Sequence, residues 1–117
     1  HSGEFILAVF AVGMDIGVDV QEMAECPDYR EIAENFYTAE EAEDVKNEGP
    51  DLFFQYWAAK EAYVKALGIG LGRGMDFFSV RNEKIAEKDK KDQDWFLYPV
   101  RIKGYAAYVA AHEKGDR

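Results

Sequence analysis

The sequence predicts an α+β fold in which an antiparallel sheet packs against one long buried helix, and three observations predict it. The stretch 50–67 begins with Pro50 at the first helical position and stops before Gly68, the boundary residues that a helix prefers. Its apolar residues (Phe53, Tyr56, Trp57, Tyr63, Val64, Leu67 and the alanines) cover nearly the whole circumference at roughly 100° per residue, as in a helix covered on every side. Short apolar runs at 5–10, 14–20, 77–81, 95–98 and 105–111 alternate with turn residues and read as strands. At 117 residues the chain is expected to be a single domain, 1–117, with one modest core.

Taken in order, 5–10 is a continuous apolar run, a buried strand, and Gly13 turns the chain into a second strand over 14–20. The two are close enough for an antiparallel hairpin. Asp19 ends the second strand, and Gln21, two residues on, faces the same side. A cap or turn aspartate is the ordinary reading. The setting Ile16-Gly17-Val18-Asp19 instead delivers a carboxylate to the rim of an apolar strand, where a site needs it.

Residues 21–27 form a connection, and 28–35 a helical turn or two carrying Tyr29, Ile32 and Phe36. Thr38-Ala-Glu-Glu41 fits a capping box that opens an acidic helix reaching about Asn47. Acidic residues in a first turn suit the helix dipole, which by itself accounts for Glu41.

After Gly68 comes Ile-Gly70-Leu-Gly72-Arg73-Gly74. Phosphate-loop glycines lie between a strand and the helix whose N-terminus meets the phosphate; these follow a helix C-terminus. They read as a helix stop and a loop, with Arg73 a candidate phosphate contact. Residues 77–81 are expected as a strand, 82–94 as a solvated, charge-rich hairpin loop, and 95–98 as a strand that Pro99 pushes towards an edge or a bulge. The run 105–111 closes the sheet; its alanines leave a helix open, while Gly104, Tyr and Val favour a strand. Residues 112–117 read as a frayed tail with His112 facing solvent.

Lys60, Glu61 and Lys65 stand inside the otherwise apolar helix. One reading makes Glu61 and Lys65 an ordinary i,i+4 ion pair, worth roughly 0.2–0.5 kcal/mol on a surface. The other starts from the cost of burying charge, which demands strong partners such as a metal ion and a phosphate, and makes the helix the rod that holds a site.

Composition narrows the classes. Eight Phe, seven Tyr and two Trp argue for an ordered chain. A net charge of −9 argues against a nucleic-acid binder and against docking on an anionic membrane. No apolar run reaches transmembrane length, and no signal peptide is expected. The single cysteine, Cys26, makes no internal disulfide and no thiolate cluster, and fits a reducing compartment, expected to be the cytoplasm.

Ile16-Gly-Val-Asp19, Phe36-Tyr-Thr-Ala-Glu-Glu41 and Trp57-Ala-Ala-Lys60-Glu61-Ala-Tyr-Val-Lys65 together resemble the signature of the 4'-phosphopantetheinyl transferases. That signature pairs a (V/I)G(I/V)D strand with a W-x-x-K-E-(A/S)-x-x-K helix some 40 residues on. The opening His1-Ser2-Gly3 and the closing strand resemble the surfactin-type branch. The likeness covers nearly the whole chain, but only the C-terminal half of such an enzyme, which is a pseudo-dimer of two similar halves.

The resemblance implies transfer of phosphopantetheine from coenzyme A to a serine of an acyl or peptidyl carrier protein, with release of adenosine 3',5'-bisphosphate. It places Mg2+ on Asp19 and Glu61, Lys65 against the coenzyme A phosphates, and His1 with Ser2 near the nucleotide. Glu41 matches a helix glutamate given a part in proton handling in some members. The proton acceptor stays open between Glu61, Glu41 and a water. Where many members carry a third acidic ligand this chain has Gln21, whose amide oxygen can still ligate, with weaker metal affinity expected. Mg2+ commonly takes one or two carboxylates plus substrate phosphates, which agrees with this set.

Carrier proteins are usually acidic, so a local basic patch is expected, drawn from Lys60, Lys65, Arg73 and the lysines of 84–91. Self-association or pairing with an N-terminal half is expected because an isolated half leaves apolar surface uncovered. The rival readings are a non-catalytic module that binds coenzyme A or the carrier, and a structural domain whose helix charges are plain ion pairs.

Overall fold

The computed structural model describes residues 14–68, 74–87 and 95–113. The expected strand 5–10 and its hairpin, His1, Ser2, the loop 69–73 with Arg73, and the lysine-rich stretch 88–94 lie outside the described residues.

Strand β1 (Met14–Glu22) leads through a connection to helices α1 (Tyr29–Phe36), α2 (Ala39–Glu48) and α3 (Pro50–Leu67). Then follow the short strands β2 (Phe78–Ser79) and β3 (Ala86–Glu87), with a 3-10 turn at Arg81–Glu83 between them, and the long hairpin β4 (Trp95–Ile102) and β5 (Tyr105–Glu113). β1, β5 and β4 form an antiparallel sheet in that spatial order, and β2 pairs with β3 in a separate two-stranded sheet. The α+β expectation is borne out.

The helix boundaries follow local chemistry. Thr38 caps α2 through its hydroxyl, which accepts from the Glu41 amide, and the Glu41 carboxylate accepts from the Thr38 amide. Pro50 opens α3 and Gly68 closes it at φ 75°, a left-handed value that glycine adopts without a side-chain clash. Every residue of α3 from Ala58 to Val64 is buried. One side of this helix meets the sheet; the other meets α1 and α2, where Ala33, Tyr37 and Val45 close on Phe53 and Tyr56. Tyr37 stacks on Phe53 at 5.7 Å and donates its hydroxyl to the Phe53 carbonyl at 2.8 Å.

Strand register sorts the sheet faces. Gly17, Asp19 and Gln21 of β1 lie opposite Ala110, Tyr108 and Ala106 of β5, and this alternate set faces α3. The other set, Ile16, Val18 and Val20 with Val109, Phe96, Tyr98 and Val100, faces away from the helix. Pro99 sits in β4 at the margin of the three-stranded sheet, where a missing amide donor is tolerated.

Three expectations are corrected. The strand foreseen at 77–81 pairs only at Phe78–Ser79, because the Val80 amide is taken by the Glu41 carboxylate at 2.6 Å and the chain turns away there. The stretch foreseen as a wholly solvated loop contains buried Ile85 and strand β3. His112 does not fray into solvent: it belongs to β5, and its ring stacks on Trp95 at 4.7 Å.

Candidate active site

β1 carries Asp19 to the flank of α3, because Gly17 lets the strand backbone lie against the helix backbone at Ala62 and Ala66. Glu61 and Lys65, one turn apart on α3, then meet Asp19. Lys65 Nζ stands 2.8 Å from Asp19 Oδ1 and 3.4 Å from the Val18 carbonyl. Gln21 donates its side-chain amide to Asp19 Oδ2 at 2.7 Å. Asp19 is buried, while the Lys65 side chain is 53% exposed. The i,i+4 pair between Glu61 and Lys65 is therefore not what forms: the lysine reaches across to the strand.

Glu61 is buried beside this pair. Burial holds its carboxyl above the ordinary range, the Asp19 charge pushes the same way, and Lys65 opposes both. No described residue donates a hydrogen bond to it. A buried acid whose carboxyl is held up by burial and by the charge of a neighbouring carboxylate forms with that neighbour a cradle that a divalent cation relieves. The described residues hold no group of three or more His, Cys, Asp and Glu, so the donor set is two acids and the Gln21 amide. A hard oxygen set with only two carboxylates fits Mg2+ better than a transition metal.

Glu41 belongs elsewhere. Its Oε1 lies 2.8 Å from Lys60 Nζ and also accepts from the Thr38 amide, and its Oε2 accepts from the Val80 amide. Lys60 donates further to the carbonyls of Met75 at 2.7 Å and Phe78 at 2.5 Å, and lies 4.2 Å from the Phe78 ring centroid. Both side chains are 0% exposed. Burial draws the Lys60 ammonium below its usual range, with Glu41 opposing that shift. Lys60 consequently cannot join a surface basic patch, which corrects that expectation. The structure thus brings Asp19, Gln21, Glu61 and Lys65 together and sets Glu41 apart with Lys60; His1, Ser2 and Arg73 lie outside the described residues.

Sequence reasoning missed Gly17 as the contact that seats the strand, and Lys60 as the partner of Glu41. The signal for the second was present: an acid in a capping box and a lysine in an apolar helix each need a counter-charge.

Among the described residues no helix is long and apolar enough to cross a membrane. A family model described as the 4'-phosphopantetheinyl transferase superfamily matches residues 15–111. The 4'-phosphopantetheinyl transferase ffp of Bacillus subtilis is 38% identical over 85 residues, 69% of this chain and 37% of that protein. The 4'-phosphopantetheinyl transferase Sfp of Bacillus subtilis strain 168 is 35% identical over 85 residues, with the same shares of 69% and 37%. The match thus spans little more than a third of those relatives. Among solved structures, the holo-(acyl-carrier-protein) synthase of Bacillus anthracis in complex with CoA (3',5'-ADP) superposes with a TM-score of 0.65 at 23% identity, over 86% of this chain and 96% of that one. The Thermotoga maritima holo-[acyl-carrier-protein] synthase also reaches 0.65, at 25% identity, over 86% of this chain and 63% of that one.

Proposed function

We propose that this chain, which belongs to the 4'-phosphopantetheinyl transferase superfamily, carries the metal-binding half of an enzyme that moves 4'-phosphopantetheine from coenzyme A to a serine of an acyl or peptidyl carrier protein. Adenosine 3',5'-bisphosphate is the leaving product. The observation that carries the reading is the meeting of Asp19 and Glu61, two buried acids from different elements, with Lys65 at their exposed margin.

In this reading Asp19 and Glu61 hold Mg2+, with the Gln21 amide beside them. When bound, the cation supplies charge neutralisation on the pyrophosphate of coenzyme A. Lys65, on a flexible and half-exposed stem, stabilises charge developing on the leaving phosphate. Transfer of this kind asks mainly for in-line positioning and charge stabilisation, both of which a strand and a helix locked together provide. Glu41 has its oxygens committed to Lys60, Thr38 and Val80 without solvent contact, so we assign it to holding α2, α3 and β2 together rather than to proton transfer.

The outward sheet face, apolar along β1, β5 and β4, is where we place the other half of the molecule or a second copy. A role without nucleic acid or an anionic membrane surface accords with a net charge of −9, and a cytoplasmic location with the single cysteine. The neutral Gln21 and the acidic balance of the chain favour one alternative, a module that binds coenzyme A or the carrier without turnover.

Labelling of a carrier protein from fluorescent coenzyme A in the presence of Mg2+ tests the proposal. Labelling that needs Mg2+ and drops at least about 100-fold in D19N and E61Q supports it. Undiminished labelling in those variants removes the metal assignment. Coenzyme A binding without labelling selects the module.

A further inference from the structure

We infer that Lys65 is a displaceable counter-cation: it occupies Asp19 until coenzyme A draws it away, so that metal and coenzyme A favour each other's binding. This rests on the reading of Asp19 and Glu61 as metal ligands.

Both oxygens of Asp19 are engaged. Oδ1 accepts from Lys65 and Oδ2 from Gln21. The two donors differ in what they can do. Gln21 is on the same strand as Asp19, two residues on, and moves with it. Lys65 comes from α3, keeps its side chain 53% exposed, and among the described residues makes one further hydrogen bond, a long one of 3.4 Å to the Val18 carbonyl. A lysine has four rotatable carbons and an ammonium that any stronger anion can claim. Lys60, five residues earlier, is the contrast: it is fully buried and bound to one carboxylate and two carbonyls.

A cation entering between Asp19 and Glu61 meets the Lys65 ammonium beside its own ligand. Like charges at that range disfavour joint occupancy, so Lys65 must swing off for the metal to be held well. A pyrophosphate at the exposed margin gives the ammonium a second anion within reach of the same stem. Coenzyme A therefore removes the competitor as well as adding phosphate oxygens. By thermodynamic linkage the metal raises the affinity for coenzyme A by the same factor. The arrangement keeps the acids neutralised while substrate is absent and exposes them when it arrives.

The test is Mn2+ binding to the full chain, followed by the loss of free-ion electron paramagnetic resonance signal, with and without saturating coenzyme A. Wild type, K65M, K65Q, K65R and E61Q are compared. Without coenzyme A, K65M and K65Q should bind Mn2+ about 5-fold or more tighter than wild type, and K65R about as wild type does. Coenzyme A should raise Mn2+ affinity by a larger factor in wild type than in K65M. If K65M and K65Q bind no tighter than wild type while E61Q loses Mn2+, the metal reading stands and the inference is overturned. If no Mn2+ binds to any of them, both are overturned.

Discussion

A β-carbon placed on Gly17 would stand 2.0 Å from the Ala62 carbonyl oxygen and 2.5 Å from the Ala66 amide nitrogen. Real contacts of that kind do not exist, and both neighbours are helix backbone that has no rotamer to yield. Overpacking in a core costs typically 1–3 kcal/mol where side chains can adjust. Here they cannot, so G17A should lose at least about 3 kcal/mol in urea unfolding. The displaced strand would also carry Asp19 away from Glu61, so Mn2+ affinity should fall in whatever fraction stays folded. A G17A protein as stable as the parent, with unchanged metal binding, would show that the strand is not seated by this contact.

The Glu41–Lys60 pair gives a second outcome with a definite pattern. Removing one partner from a buried ion pair strands the other charge, and such changes cost about 3–5 kcal/mol. E41Q and K60M should each fall in that range. The double variant E41Q/K60M should recover part of the loss, because no buried charge remains. Chemical denaturation of the four proteins closes the cycle, and a double variant as unstable as the sum of the singles would mean that the pair is not coupled.

Asp44 sets a pH dependence. Burial alone would push its carboxyl up, but hydrogen bonds from Arg81 and Tyr56, and the Arg81 charge, outweigh burial and hold it below the ordinary range. Arg81 Nε lies 2.7 Å and the Tyr56 hydroxyl 2.8 Å from Asp44 Oδ2. The folded state therefore binds this proton less tightly than the unfolded chain does. Its stabilisation is complete above the unfolded value, about 3.9, and is lost as pH falls through the lower folded value. In thermal melts D44N should lie below wild type at pH 6–7, and the gap should close as pH drops below about 4. A gap that stays constant down to pH 2 would contradict this.

What was legible in the sequence and what was not divide along a physical line. Local chemistry was readable: Thr38 and Glu41 cap α2, Pro50 and Gly68 bound α3, and the alternation along β1 turns Asp19 and Gln21 to one side. Partners chosen across space were not. Spacing on α3 offers Glu61 and Lys65 as a pair, but the lysine prefers a buried carboxylate 46 residues away in the chain. The Val80 amide had no sequence mark showing that Glu41 would take it and end a strand early. The ring of His112 gave no sign that Trp95 would cover it, since that contact depends on the register of β4 against β5.

The face of the sheet turned away from α3 gives the last prediction. Phe96 and Tyr98 lie on it with ring centroids 6.2 Å apart and about half of each exposed, 47% and 52%. Ile16, Val18, Val20 and Val100 extend the apolar surface across the strands. Scattered exposed apolar residues need no explanation, but a contiguous patch on one sheet face marks a surface that meets another chain. Sedimentation velocity should therefore show self-association of the wild type in the micromolar range. F96S/Y98S should shift it towards monomer while changing the folding free energy little, since both side chains are already half in water. The same double variant should retain Mn2+ binding, because Asp19 and Glu61 lie on the opposite face. A wild type that stays monomeric at every concentration would leave this face to a different half of the molecule rather than to a second copy.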